Sequence, residues 1–156
     1  MSVFVRMARP EDAEAARRVA DDAFASLRSV YRPAPAALAN LSAMSPALER
    51  LVAEEDGIVV GTTRFTVLGD CMRVIGLAVA EPRRRRGVAR ALVDELARIA
   101  GDRGCRALAL YTITKTGNVP VFERLGFRLV SERADGYAAS VDGEPLVEAY
   151  MERFVA

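Results

Sequence analysis

The sequence predicts an α/β (α+β) fold, in which a mixed, mostly antiparallel central sheet contains a central parallel strand pair and carries helices on both faces. Asp56-Gly57 predicts a tight hairpin turn between two apolar strands, and Leu68-Gly69-Asp70 turns the second of them into a third. That third strand, residues 72–79, leads into a long amphipathic helix and then into a strand over residues 106–113. A strand–helix–strand crossover of this kind predicts that the two strands are parallel.

The remaining elements follow from turn residues and from the spacing of apolar residues. A helix is expected from Pro10 to about Leu27, because proline suits the first turn and apolar residues recur on one face. Prolines within residues 29–45 predict a loop with one short helix near residues 36–43. Further strands are predicted at residues 3–7, 50–55, 58–67, 127–132 and 146–154, and a short helix at residues 117–125.

Length and charge restrict the class of protein. The 156 residues, of which 51% are hydrophobic, are expected to form a single domain over residues 1–156 with a large core. Because 22 basic residues face 21 acidic ones, no overall field favours nucleic acid or a membrane as a partner. No leader or long apolar segment is evident, so a cytoplasmic protein is expected. A homodimer is left open.

The histidine and cysteine content restricts the chemistry. The chain has no histidine, which argues against a zinc site and against Ser-His or Cys-His nucleophiles. No metal is therefore expected. Cys71 and Cys105 precede neighbouring predicted strands, so a disulfide between them and burial as small apolar residues both stay open.

The passage from Val74 to Ala89 predicts an anion site. An apolar strand stops at Pro82, four arginines follow, and a helix begins after Gly87. Unpaired N–H groups from Arg85 to Ala89, together with the positive end of the helix dipole, form a cradle for phosphate oxygens. A solvated basic patch or a nucleic-acid contact is the alternative, but no aromatic residue interleaves with the run and no second basic cluster extends it.

Two motifs resemble the GNAT-type N-acetyltransferases. Arg84-Arg85-Arg86-Gly87-Val88-Ala89 is similar to their pyrophosphate loop, whose pattern is Arg or Gln, two residues, Gly, one residue, then Gly or Ala. The passage from Asn118 to Phe127 resembles the family's short helix and the Leu-Gly-Phe motif that follows it. Order and spacing agree over residues 50–154. The resemblance implies the GNAT fold, acetyl-CoA as co-substrate and N-acetyltransferase activity.

The resemblance also implies where acetyl-CoA binds. The strand residues expected at the pantetheine arm are Leu77, Ala78 and Val79, and the loop residues expected at the pyrophosphate are Arg84, Arg85, Arg86, Gly87, Val88 and Ala89. Asn118 and Phe122 are further candidates, for which helix capping and packing, respectively, are the alternative roles. In this family the two parallel strands splay apart and the acyl chain lies between them.

Attack of a neutral amine on the thioester needs oxyanion donors, a base and an acid. Backbone N–H groups of Leu77 and Val79 are the expected donors. A carboxylate acting through water is the expected base, with Glu54, Glu55, Glu81 and Glu148 as candidates. The family commonly places an acidic tyrosine four residues before the glycine of Leu-Gly-Phe, where this chain has Phe122; Tyr111 is the candidate acid and water the alternative.

Two functions of different class follow. The first is acetyl transfer to a primary amine, a small molecule or a peptide, by direct attack in a ternary complex. The second is a non-catalytic or regulatory CoA-binding module, which the missing tyrosine favours. Asp135, Asp142 and Glu144 would suit a cationic acceptor, with a solvated loop as the alternative.

Overall fold

The computed structural model describes residues 2–33, 38–39, 43, 47–134 and 138–155. Nine strands lie in these ranges: β1 Phe4–Met7, β2 Tyr31–Pro33, β3 Glu49–Glu55, β4 Ile58–Leu68, β5 Cys71–Val79, β6 Ala107–Ile113, β7 Arg128–Ala134, β8 Ala138–Ser140 and β9 Val147–Phe154. The longer helices there are α1 Ala13–Ala25, α2 Val88–Asp102 and α3 Asn118–Arg124. Short 3₁₀ turns occupy Pro10–Asp12, Ser26–Ser29, Glu81–Arg83 and Thr114–Thr116.

The main sheet has the strand order β1-β3-β4-β5-β6-β9-β7, and its pairs are antiparallel except for the parallel pair β5–β6. The predicted fold class is therefore confirmed. Strands β2 and β8 form a separate antiparallel pair, so the prediction of a loop is wrong at residues 31–33. A three-residue strand is too short to show a period of two. The helix predicted near residues 36–43 lies largely outside the described residues.

The turns follow the predicted chemistry. Asp56 and Gly57 both have positive φ, of 53° and 79°, which is the type I′ geometry that joins β3 to β4. Helix α2 continues through Gly101 and ends in a Schellman motif at Gly104. There the Cys105 N–H donates to Ala100 O and the Gly104 N–H donates to Gly101 O. No helix within the described ranges has the length and apolar character needed to cross a membrane.

Helices α1 and α2 cover opposite faces of the sheet. A Cβ placed on Gly61 of β4 would meet Val88 and Leu92 of α2, whereas one on Gly76 of β5 would meet Phe24 of α1. The apolar face of α2 is buried against the core strands through Val88, Leu92, Val93, Leu96, Ile99 and Ala100. Both faces of the central strands are therefore covered, and the site lies where the helix ends meet β5.

The start of α1 is held by an ion-pair cluster. Arg6 of β1 donates to Asp12 at 2.6 Å and to Glu54 of β3 at 3.1 Å, and the Arg9 N–H donates to Asp12 at 2.7 Å. The bonds from Arg6 and Arg9 lower the pKa of the buried Asp12 carboxyl to about 2. This cluster fixes α1 on the sheet, and so fixes Phe24 at the far end of the helix.

The two cysteines are free thiols. Cys105 is buried in the core, while Cys71 is half-buried beside Asp70 at 3.5 Å. Of the two possibilities left open by the sequence, the structure shows no disulfide.

Candidate active site

The parallel pair β5–β6 opens into a cleft. Its register covers only three pairs, from Cys71↔Ala107 to Arg73↔Ala109, although β5 continues to Val79. A bulge at Gly76 lies in the diverging part: Thr63 pairs with Leu77 and Arg64 with Ile75, so Gly76 has no partner on β4. Its φ of 76° is a conformation that favours glycine. The two strands therefore splay apart beyond the pair Arg73↔Ala109.

Backbone groups of β5 face the splayed gap. The Ala80 N–H donates to Val60 O of β4 at 2.8 Å. Because alternate residues of an antiparallel strand point to the same neighbour, Ala78 also faces β4, whereas Leu77 and Val79 face away from it. The Arg84 Nε–H donates to Val79 O at 3.2 Å from that side. The N–H groups of Leu77 and Val79 thus point into the cleft.

The loop before α2 leaves helix N–H groups open. Gly87 is the N-cap residue, with a φ of 82°, and no side chain caps this helix end. The first N–H groups of α2 therefore lack partners within the helix and point outward. A Cβ on Gly87 would meet no atom within 4 Å, so this position opens onto free space. The geometry suits oxygen atoms of a phosphate group.

The four arginines of the loop divide into two groups. Arg83 contacts Glu55 at 2.8 Å and Arg86 lies 4.0 Å from the same carboxylate, whose side chain is 2% exposed. These two arginines hold the loop against β3. Arg84 and Arg85 line the cleft, as Arg83 also does, but neither of them forms an ion pair within the described residues. The run is therefore not a uniform basic patch.

A cleft of about 650 Å³, here called the loop cleft, contains nearly all of the predicted cofactor residues. They are Leu77, Ala78, Val79, Arg84, Arg85, Gly87, Val88, Ala89, Asn118 and Phe122. Arg86 is the predicted cofactor residue that does not line this cleft, and its guanidinium lies 4.0 Å from Glu55. Lining residues that the sequence did not single out for the site include Phe24, Leu27, Arg90, Val121 and Arg124. The sequence signal that could have pointed to Phe24 and Leu27 was their position on the apolar face of the predicted first helix.

A second cleft of about 670 Å³, here called the strand cleft, lies between α1 and the strands β3, β4 and β5. It shares Phe24 and Ala78 with the loop cleft. The two clefts therefore meet beside the bulged part of β5, where Leu77 and Val79 present their N–H groups.

The four candidate bases lie outside both clefts. Glu54 accepts from Arg6 at 3.1 Å, Glu55 is buried against Arg83, and Glu148 contacts Arg133 at 2.8 Å. Glu81 is exposed at the start of a 3₁₀ turn. The structure adds two carboxylates that the sequence did not single out, Glu14 and Asp21 of α1, which line the strand cleft.

The acid candidate Tyr111 also lies outside both clefts. Its ring packs against Tyr150, with centroids 4.9 Å apart, and beneath the Arg73 guanidinium at 4.3 Å. Tyr150 donates to Glu152 at 2.6 Å, and burial together with that carboxylate raises its pKa. Phe122 lines the loop cleft, with its ring edge-on to Phe127 at 5.8 Å.

The structure also bears on the capping role of Asn118 and on the acidic residues before β9. Helix α3 begins at Asn118 itself, its N-cap is Gly117, and no side chain caps it, so the capping role considered for Asn118 is wrong. In the segment before β9, Asp142 contacts Lys115, and neither Asp142 nor Glu144 lines a cleft. Asp135 lies outside the described residues.

Comparison with known proteins identifies the family. The sequence profile of the Acetyltransferase (GNAT) family matches residues 15–127, which is most of the chain. The chain therefore belongs to the GNAT acetyltransferase family.

The individual relatives share low sequence identity with this chain. A curated protein of Bacillus subtilis (strain 168), itself named only as a candidate acetyltransferase, is 27% identical over 84 residues. This match spans 54% of the chain and 56% of that relative, about half the length of each. Among solved structures, an N-acetyltransferase from Staphylococcus aureus Mu50 has a TM-score of 0.76, 19% identity and full coverage of both chains. The ribosomal-protein-S18-alanine N-acetyltransferase of Escherichia coli has a TM-score of 0.73 and 18% identity over 99% of this chain and 95% of that one.

Proposed function

We propose that this protein transfers an acetyl group from acetyl-CoA to a primary amine, by direct attack in a ternary complex. The observation that carries the proposal is the meeting of two clefts at the splayed end of β5. One cleft ends at a helix N-terminus suited to phosphate oxygens, and the other reaches the same strand from the face that α1 covers. Two reactants can therefore approach one point from different sides.

The residues present fit acetyl-CoA. The N–H groups at the start of α2 and the side chains of Arg84 and Arg85 would hold the pyrophosphate, and the open space at Gly87 lets it approach the backbone. The β5 residues Leu77, Ala78 and Val79 would line one side of the pantetheine arm, and Phe122 and Asn118 would line its other side.

Each chemical role follows from a group near the junction. Acetyl-CoA supplies the thioester when bound. The N–H groups of Leu77 and Val79 stabilise the negative charge that develops on the carbonyl oxygen. The amine nitrogen forms the new C–N bond, the C–S bond breaks, and one amine proton leaves through water to a carboxylate. For that carboxylate Glu54, Glu55, Glu81 and Glu148 remain the candidates, joined by Glu14 and Asp21 on the strand cleft.

The proposal is tested by binding and turnover together. Acetyl-CoA is expected to raise the melting temperature progressively with concentration, since a ligand at 100 times its Kd stabilises the folded state by about 2.7 kcal/mol. Release of free CoA thiol in the presence of a panel of amines measures turnover. Binding with no turnover on any amine would favour the non-catalytic module, and an unchanged melting temperature with no heat of binding would contradict both functions.

Substitution of Phe122 tests whether a phenolic acid helps the thiolate leave. Phe122→Tyr adds one hydroxyl inside the loop cleft and keeps the ring, so kcat is expected to stay level or to rise. The comparison is kcat at saturating acetyl-CoA for Phe122→Tyr and for Tyr→Phe at each of the four tyrosines. A fall of about ten-fold or more for one Tyr→Phe variant would identify an existing acid, since general acid catalysis typically contributes about 10² to 10⁴-fold. If all five variants match the wild type, the thiolate leaves unassisted or takes its proton from water.

A further inference from the structure

The strand cleft has an excess of positive charge. Four arginines line it, namely Arg17 on α1, Arg28 in the following turn, Arg50 on β3 and Arg64 on β4. The carboxylates that face the same space are Glu14 and Asp21 of α1. Glu14 is already paired with Arg18 at 3.1 Å. The charge of the lining is therefore positive, although the chain as a whole is nearly neutral.

Arg50 and Arg64 are direct cross-strand partners in the register of β3 and β4. Like charges placed opposite each other on a sheet destabilise it. Within the described residues no carboxylate lies within 4.0 Å of either guanidinium. Outside those residues, Asp135 is the only acidic side chain in the sequence. The sheet thus places two arginines opposite each other, and the described residues supply no side chain that neutralises them.

Arg50 is also held in place. Its Nη1 donates to Thr62 Oγ1 at 2.7 Å, and that hydroxyl in turn donates to Leu51 O at 2.9 Å. This bond uses one of the five N–H groups of the guanidinium, and the others are left for a ligand. Burial, and to a smaller extent the neighbouring Arg64, lowers the pKa of Arg50.

We infer that the acceptor amine carries an anionic oxygen group, a carboxylate or a phosphate, that binds between Arg50 and Arg64. This inference rests on the proposed acetyl transfer and names the chemical class of its acceptor. A planar guanidinium binds two oxygens of such a group at once, and a second arginine at the opposite register position offers a second cationic partner. The bound anion also removes the repulsion between the two arginines. A polycationic acceptor would be repelled by the positive charge of this part of the cleft.

Matched acceptor pairs test the inference. Each pair keeps the amine and replaces the anionic group: an L-amino acid against its own carboxamide, β-alanine against β-alaninamide, and O-phosphoethanolamine against ethanolamine. Because a nearby anion raises the pKa of an amine, kcat/KM is compared on the concentration of the neutral amine. The anionic member is expected to have a kcat/KM at least about ten-fold higher, the effect of one or two charged hydrogen bonds. The amino-acid and phosphate pairs show which anion is preferred.

Two variants and one control link the preference to the arginines. Arg64→Gln is expected to lower kcat/KM for the anionic member by about ten-fold through KM and to leave the neutral member within two-fold, while raising the melting temperature because the cation pair is gone. Arg50→Gln provides a second test on the neighbouring strand. The control Arg98→Gln removes the same charge from α2, where the ion-pair partners of Arg98 among the described residues are Glu95 and Asp102. Its kcat/KM values for both members of a pair are expected to match those of the wild type.

The outcomes are separable from those of the proposed function. Equal or better turnover of the neutral members, or a preference that both Arg→Gln variants retain, overturns the anionic acceptor and leaves acetyl transfer standing. If no acceptor turns over, calorimetric binding of the same pairs to the protein saturated with CoA takes the place of the kinetics. Absence of anion-dependent binding there overturns the inference, whereas failure of CoA itself to bind contradicts the proposed function.

Discussion

Gly87→Val is expected to weaken acetyl-CoA binding by about 100-fold, the loss of one or two hydrogen bonds to a charged phosphate. The Cβ of Gly87 would occupy free space that opens onto the loop cleft, so the added methyl groups meet the ligand rather than the protein. Binding is measured by calorimetry, and KM for acetyl-CoA supplies a second value. The free protein is expected to remain folded, because Gly87 lies at a helix end outside the core.

A control separates ligand contact from backbone strain, because the φ of 82° at Gly87 is unfavourable for valine. Gly104, at the other end of the same helix, has a φ of 75° and also has no atom within 4 Å of an added Cβ. Gly104→Val therefore incurs the same kind of strain away from the cleft. Both variants are expected to lose similar stability, but only Gly87→Val loses affinity. Wild-type affinity in folded Gly87→Val would show that the loop does not bind the pyrophosphate.

The sequence could group most of the proposed cofactor residues because they are close together in the chain. A strand, a loop and a helix start occupy one short stretch, and nearly all of the residues named there line one cleft. The hairpin at Asp56-Gly57 was equally legible, since only a few residue types accept two successive positive φ values. Local chemistry of this kind needs no tertiary information.

The splay, which only the family resemblance implied, and the arginine pair of the strand cleft could not be derived from the residues alone, since both depend on register. The unpaired Gly76 is a bulge only because Leu77 and Ile75 pair with adjacent residues of β4. Arg50 and Arg64 are 14 positions apart, and they become opposite neighbours only through the pairing of β3 with β4. The acidic residues Asp135, Asp142 and Glu144, which the sequence analysis considered for a cationic acceptor, therefore did not predict the positive charge of the strand cleft.

The four arginines of the loop show the same limit on a smaller scale. As a sequence they are equivalent, but Arg83 and Arg86 lie within 4.0 Å of the buried Glu55 carboxylate, whereas Arg84 and Arg85 have no ion-pair partner within the described residues. Which arginine reaches the carboxylate depends on the 3₁₀ turn at Glu81–Arg83 and on the positive φ of Arg85. Neither of these conformations has a clear signal in a run of identical residues.

Gly61→Ala is expected to destabilise the protein by about 2 kcal/mol, within the usual range for overpacking a core. An added Cβ would lie 2.8 Å from Val88 Cγ1 and 3.1 Å from Leu92 Cδ1, both of which are fully buried. Valine is stiff about χ1, so Val88 cannot turn away at low cost. The free energy of unfolding, from urea titration, measures the effect.

The same substitution at Gly101 provides the control. There an added Cβ meets only Val155 Cγ1, at 3.3 Å, near the chain end, and alanine is favoured over glycine inside a helix by about 1 kcal/mol. Gly101→Ala is expected to leave stability level or to raise it. Because Val88 is the first residue of α2, relief of the Gly61→Ala overlap must push the helix N-terminus away from β4, and the N–H groups that face the loop cleft move with it. Gly61→Ala is therefore expected to weaken acetyl-CoA binding as well as folding, and wild-type values of both would show that α2 is not held in place by close contact with Gly61.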